Sequence, residues 1–121
     1  AIAASHAVLD VMQEEKLPER AQVLGDRLLA HLHSAKAKHP RIGDIRGLGA
    51  MVACEFMTVS GVPDADLTKK VQTAALRRGL LLLTCGVHGN VIRFLFPLTI
   101  EDKVFAEGLA VLDAALAEVM A

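Results

Sequence analysis

Between residues 18 and 38, apolar side chains stand at Ala21, Leu24, Leu28, Leu32 and Ala35. Steps of three and four gather them into one stripe on a helix. Pro18 suits the first helical position, and the His39-Pro40 pair stops the helix because the residue before proline avoids helical geometry. Residues 2–15 read as an earlier helix. A third is predicted over 65–78, with Leu67, Val71, Ala74 and Ala75 as its apolar side. Asp64 is its N-cap and Gly79 the left-handed residue beyond its end. Phe105, Leu109, Leu112, Leu116 and Val119 predict a last helix. Thr99 with Asp102 three residues on resembles a capping box at its start.

Between these helices the period changes to that of strands. Residues 42–46 and 50–57 read as two strands joined by Gly47-Leu48-Gly49, a short glycine-containing connection that favours a hairpin. Residues 80–83 and 91–96 read as two more, with a turn over 85–90. Pro97 lacks an N–H and ends the ladder. The order α-α-β-β-α-β-β-α predicts an α+β fold: one two-layer domain over residues 1–121, with a mainly antiparallel sheet and helices on one face. The Gly-x-Gly at 47–49 is not a nucleotide fingerprint, since it lacks the third glycine and leads into strand.

One cation interrupts the last strand. Alternation sends Ile92, Phe94 and Phe96 to one face and Val91, Arg93 and Leu95 to the other. A guanidinium among branched and aromatic neighbours loses hydration that only a good partner replaces. Its planar fork suits a carboxylate, so a substrate acid is one role. The pattern alone favours the other: an edge arginine that snorkels to water or pairs with a protein acid. Glu55, the only acid in 47–57, is expected on the wetter sheet face with Met51 and Ala53; pairing with Arg46 or Arg93 is the alternative.

Composition narrows the partners. A chain of 121 residues holds one domain with a real core. Its 53% hydrophobic content is high for a soluble chain of this size and predicts surface buried against further structure. No apolar run is long enough to span a membrane. Net charge −1 and four Phe as the only aromatics give no nucleic-acid signature. Cys54 and Cys85, far apart and without a Cys-x-x-Cys, read as free, buried thiols of a reducing cytoplasm. His31 and His33, two apart on a helix, face different ways and read as solvated rather than metal-binding. His88 lies in a glycine-flanked turn, where a loop role is favoured over an approach to substrate.

Gly79-Leu-Leu-Leu-Leu-Thr-Cys-Gly86, followed by Gly89-Asn-Val-Ile-Arg93-Phe-Leu-Phe-Pro-Leu98-Thr, resembles the C-terminal part of 4-aminobutyrate aminotransferases, a group of class III pyridoxal-phosphate enzymes. Ile45-Arg-Gly-Leu-Gly-Ala-Met-Val-Ala-Cys-Glu-Phe56 is similar to the small-domain hairpin of the wider class, in matching order. The resemblance covers essentially the whole chain. It implies the small domain of a fold-type-I enzyme and assigns Arg93 to the substrate carboxylate. It also implies pyridoxal 5'-phosphate as cofactor, small amino-acid and 2-oxo-acid substrates, and a cytoplasmic homodimer or higher homo-oligomer. The reaction implied is ping-pong transfer of the amino group of 4-aminobutyrate to 2-oxoglutarate, giving succinate semialdehyde and glutamate.

The same resemblance implies a preceding large domain with the Schiff-base lysine, an Asp at the pyridine nitrogen and the phosphate-binding loops. None of those motifs occurs here, and Lys16, Lys36, Lys38, Lys69, Lys70 and Lys103 all sit in charged helix-surface contexts. We therefore expect a C-terminal fragment, arising by proteolysis or design, that binds no cofactor and is inert alone. Two other functions compete. One is an aminotransferase for another ω-amino acid such as 5-aminovalerate. The other is a stand-alone ligand-binding or interaction module, against which the abrupt start and the apolar excess both argue.

Overall fold

A computed structural model describes residues 1–121. Its elements are α1 (Ile2–Glu14), α2 (Leu17–Lys38), β1 (Ile42–Leu48), β2 (Met51–Phe56), α3 (Ala65–Arg77), β3 (Leu83–Cys85), β4 (Val91–Phe94) and α4 (Asp102–Val119). Type and order agree with the sequence reading. The four strands make one antiparallel sheet in the order β1-β2-β4-β3, which puts β4, the strand of Arg93, inside the sheet.

The predicted stripe of α2 packs on the sheet: Leu24, Leu28, Leu32 and Ala35 are buried, with Ala21 at the margin. Lys16, in the left-handed region at φ 50°, separates α1 from α2 and moves Pro18 to the second helical position. Gly25 is indispensable to the packing of α2 on the first hairpin. A Cβ there would stand 1.8 Å from the carbonyl oxygen of Gly49, so only glycine lets the turn rest on the helix. From the sheet, Val52, Cys54, Phe56, Ile92 and Phe94 meet this layer, joined by Val71, Ala74 and Ala75 of α3 and Leu112 and Leu116 of α4.

In β1, Ile42 and Ile45 both turn inward although three positions apart. A register shift between them makes this possible by inserting an unpaired residue. The hairpin turn falls at Gly49-Ala50, because Leu48 pairs with Met51: β1 runs two residues further than expected and β2 begins one residue later, at Met51.

Three local expectations need correction. Leu80 and Leu82 turn into the core beside α4 and Leu81 turns outward, but this segment pairs with no strand, and Gln72 Nε2 donates to the Leu82 carbonyl at 2.9 Å. Strand β3 therefore starts only at Leu83. Strand β4 stops at Phe94, and Phe96 packs edge-on against Phe105 with ring centroids 5.1 Å apart. No capping box opens α4, whose N-cap is Glu101 with no side-chain bond. Asp102 instead pairs with Arg20 at 2.8 Å and Arg27 at 3.1 Å, and those guanidinium groups, Arg20 first, hold its carboxyl below the usual range.

Asp64 does cap α3 as predicted, accepting from the Leu67 N–H at 2.9 Å and pairing with Arg41. Helix α1 stands apart: none of its residues is buried, and Ile2, Val8, Leu9 and Val11 face outward. No helix is long and apolar enough to cross a membrane.

Candidate functional site: an unpaired arginine on the open face of the sheet

Strand alternation sorts β4 much as predicted. Ile92 and Phe94 enter the core, and Arg93 projects from the opposite, helix-free face. Val91 shares the outer face with Arg93, as expected. It is buried on that outer face because the turn after β3 folds over it, close enough that a Cβ on Gly86 would meet the Val91 side chain at 2.8 Å.

Register defines what surrounds Arg93. Ala53 pairs with it from β2 and Leu83 from β3, and Ala53 in turn pairs with Arg46 on β1. A single row therefore crosses the sheet as Arg46, Ala53, Arg93 and Leu83. At about 4.8 Å per strand, the two arginine backbones stand roughly 10 Å apart. Beside this row lie Leu48, Met51, Leu81 and Leu95, all exposed.

The arginines of this chain differ in one respect. Arg20, Arg27, Arg41, Arg46, Arg77 and Arg78 each form an ion pair with an acid of the chain. Arg93 is the seventh and forms none. No acid of this chain holds it and it stands inside the sheet rather than at an edge, while its side chain is exposed to water, as the structural role also expects. Its fork is left with donors facing outward between a methyl group and a leucine. A planar fork of this kind can donate two parallel hydrogen bonds to a carboxylate.

Glu55 takes both roles considered for it. It lies on the outer face with Met51 and Ala53, and it accepts from Arg46 Nη1 at 2.7 Å. The same nitrogen donates to Asp44 at 2.7 Å. These hydrogen bonds, Asp44 first, raise the already high pKa of Arg46. The pairing was legible once the hairpin turn is set at Gly49-Ala50, since that register brings residue 46 opposite residue 53.

The remaining candidates lie elsewhere. His31, expected to be solvated, bonds Asp113 of α4 at 2.8 Å, because α2 and α4 pack side by side. His33 and His88 are exposed. Cys54 is buried beneath the sheet, which pushes its thiol up to about 12, and Cys85 is half-buried; both are free. The six lysines are exposed, on the helices or at the α1–α2 junction, away from the open face. A Schiff-base lysine needs a closed pocket around it. These 121 residues therefore do not by themselves fit pyridoxal phosphate.

The sequence profile described as Aminotransferase class-III matches residues 1–116. The chain belongs to the class III aminotransferase family. Its match to the 5-aminovalerate aminotransferase DavT of Pseudomonas aeruginosa is 51% identical over 114 residues, covering 93% of this chain and 27% of that protein. The 4-aminobutyrate aminotransferase GabT of Escherichia coli is 44% identical over 115 residues, covering 93% and 27%. Among solved structures, an amine transaminase from an uncultivated Pseudomonas species in its PLP-bound form superposes with a TM-score of 0.82. That match is at 30% identity, covering 97% of this chain and 27% of that one. This class III chain thus spans little more than a quarter of the length of such relatives.

Proposed function

We propose that residues 1–121 are the C-terminal small domain of an ω-amino-acid aminotransferase, in which Arg93 grips the substrate carboxylate. The observation that carries this reading is the exceptional state of Arg93, unpaired in a chain whose other arginines are all paired. The full-length enzyme moves the amino group of 4-aminobutyrate to 2-oxoglutarate. Pyridoxal phosphate, held by the part of the protein outside these residues, supplies the electron sink for that exchange. Arg93 contributes orientation. Fixing the far carboxylate on a rigid inner strand places the remote amine, which is a proximity effect. The enzyme works as a homodimer or higher homo-oligomer in the cytoplasm, where its two thiols stay reduced.

A second substrate is supported by similarity to relatives named for 5-aminovalerate. The same fork serves either acid, so the residues that choose chain length lie outside this domain.

Arg93→Ala in the full-length enzyme tests the reading. A bidentate guanidinium–carboxylate contact in a partly dry site contributes on the order of 2–4 kcal/mol. We expect kcat/KM for 4-aminobutyrate and 5-aminovalerate to fall accordingly, with a far smaller loss for an uncharged amine of similar length. Arg93→Lys recovers only part of the loss, since a point charge lacks the planar fork. Equal losses for acid and amine donors would remove Arg93 from the substrate site.

A further inference from the structure

Two polar side chains are buried in this chain, Thr68 and Asn90. Thr68 bonds locally, donating to the Asp64 carbonyl at 2.7 Å at the start of its own helix. Asn90 reaches a different element. It stands just before β4, and alternation with Ile92 and Phe94 puts it on the inner face. Its side-chain Nδ2 donates to the Phe56 carbonyl at 3.2 Å, while its backbone carbonyl accepts from the Phe56 N–H at 2.8 Å. The N–H and the C=O of the last residue of β2 are thereby both tied to Asn90. The next pair along is Glu55 with Val91, and two steps further Ala53 meets Arg93.

We propose that Asn90 is a positioning residue that fixes the register of β4 against β2, and with it the place of Arg93 along the outer face. Its bearing on catalysis rests on the carboxylate-binding role of Arg93 argued above. Apolar patterning cannot set this register alone. A shift of one residue turns Ile92 and Phe94 outward and is excluded by burial. A shift of two is not, because Ile92, Phe94 and Phe96 alternate in sequence and each can take its predecessor's place. Such a shift moves Arg93 about 7 Å along the strand and brings it opposite Glu55 instead of Ala53. Asn90 breaks the equivalence. In that shift the Phe56 carbonyl meets Ile92, whose side chain has no donor. In the opposite shift the Asn90 amide takes the place of Ile92 opposite Cys54, where an unpaired polar group carries its full cost of desolvation. A single buried asparagine sets register between coiled helices in the same way. The bonds that do this lie within the chain and on its covered face, so they do not depend on what the rest of the enzyme lays over the outer one.

The test uses the full-length enzyme and two readouts. Register is read from the rate at which a cysteine pair, Glu55→Cys with Val91→Cys, oxidises to a disulfide. Cys85 also pairs with Val91, so Cys85→Ser accompanies it. Directly opposed residues lie within disulfide reach, and a two-residue shift carries them beyond it. Function is read from kcat/KM for 4-aminobutyrate and for an uncharged amine. Asn90→Leu and Asn90→Ala both remove the amide, but alanine leaves a cavity that leucine fills. Loss of one hydrogen bond displaces an equilibrium roughly fivefold, so cross-linking and kcat/KM for 4-aminobutyrate should both fall at least about threefold. The amine should react nearly as before, and the two variants should behave alike although their melting temperatures differ. Losses that follow the melting temperature and are shared by both donors, with cross-linking unchanged, would make Asn90 a core residue only and overturn the inference. Arg93→Ala run alongside separates the two levels of argument. If it discriminates between the donors while the Asn90 variants leave cross-linking and discrimination unchanged, only this inference falls. If cross-linking falls in the Asn90 variants but Arg93→Ala does not discriminate, the register role stands and the substrate role of Arg93 is removed.

Discussion

The two faces of the sheet are built from the same four strands and follow opposite rules. On the inner face, Val52, Cys54, Phe56, Ile92 and Phe94 are packed under α2, α3 and α4. On the outer face, Arg46, Met51, Leu83, Arg93 and Leu95 have no covering layer within the chain. The four-residue strand Val91–Phe94 serves both. Its inward residues immobilise the backbone, and between them Arg93 projects a free charge. Rigidity and availability are usually in conflict, because the contacts that fix a side chain also occupy it. Here alternation separates them: the neighbours of Arg93 in the chain pack into the core, and the Arg93 side chain forms no hydrogen bond or ion pair within the chain.

The sharpest way to break this comparison is to truncate one residue on each face. Ile92 is fully buried, and Ile92→Ala should cost about 2–5 kcal/mol by removing apolar contacts and leaving a cavity. Leu83, cross-strand from Arg93 and partly exposed, should lose no more than about 0.5 kcal/mol on truncation to alanine. Denaturant unfolding of the two variants measures the difference. Similar costs would mean that the outer face is as structural as the inner one.

The next largest effect lies at Asp64, which joins the α3 N-terminus to the end of β2. Its carboxyl is held below the usual carboxylate range by the Leu67 N–H first and then by Arg41, against the opposing effect of burial. Because the folded value lies below the unfolded one near 3.9, the unfolded chain binds more protons in that window. The contribution is therefore complete above about pH 4 and is lost as pH falls through the folded value. Asp64→Ala should cost about 1 kcal/mol near neutrality and flatten the acid limb of the stability profile. A parallel downward shift of the whole profile, with its acid limb intact, would show that Asp64 does not titrate in this way.

The inner face was largely legible in the sequence, and the outer face was legible only in part. Burial imposes periodicity: four of the five residues proposed for the α2 stripe are buried, and the Asp64 cap and Gly79 turn stand where predicted. Where the chain leaves a regular element, tertiary contacts decide, and local pattern does not foresee them. Leu80 and Leu82 were drawn into the core, and Asp102 was taken by arginines 82 and 75 residues away rather than by a cap. Gly25 gave no signal at all, since its role is proximity to a turn 24 residues further on. On the outer face, Arg93 was conspicuous as a charge in an apolar run. Its lack of a partner was not, because pairing is settled by register. The same register decides that Glu55 meets Arg46.

The smallest effect on stability should carry the clearest change in association. Leu48, Met51, Leu81 and Leu95 are exposed by 61–78%, and together they form an apolar band beside Arg93. A band of this kind is buried against other protein when it can be. The isolated 121-residue chain should therefore self-associate as its concentration rises. Replacing Met51 and Leu81 by lysine introduces two like charges into the band and should displace the equilibrium towards monomer. The folded state should change by no more than about 0.5 kcal/mol per site, since lysine keeps a long aliphatic stem on the sheet with its charge in water. Sedimentation velocity at several concentrations reads the association, and a melting curve reads the stability. If the double variant associates as strongly as the parent, the sticky surface is not the open face. Helix α1, with Ile2, Val8 and Leu9 exposed, would then be the next surface to charge.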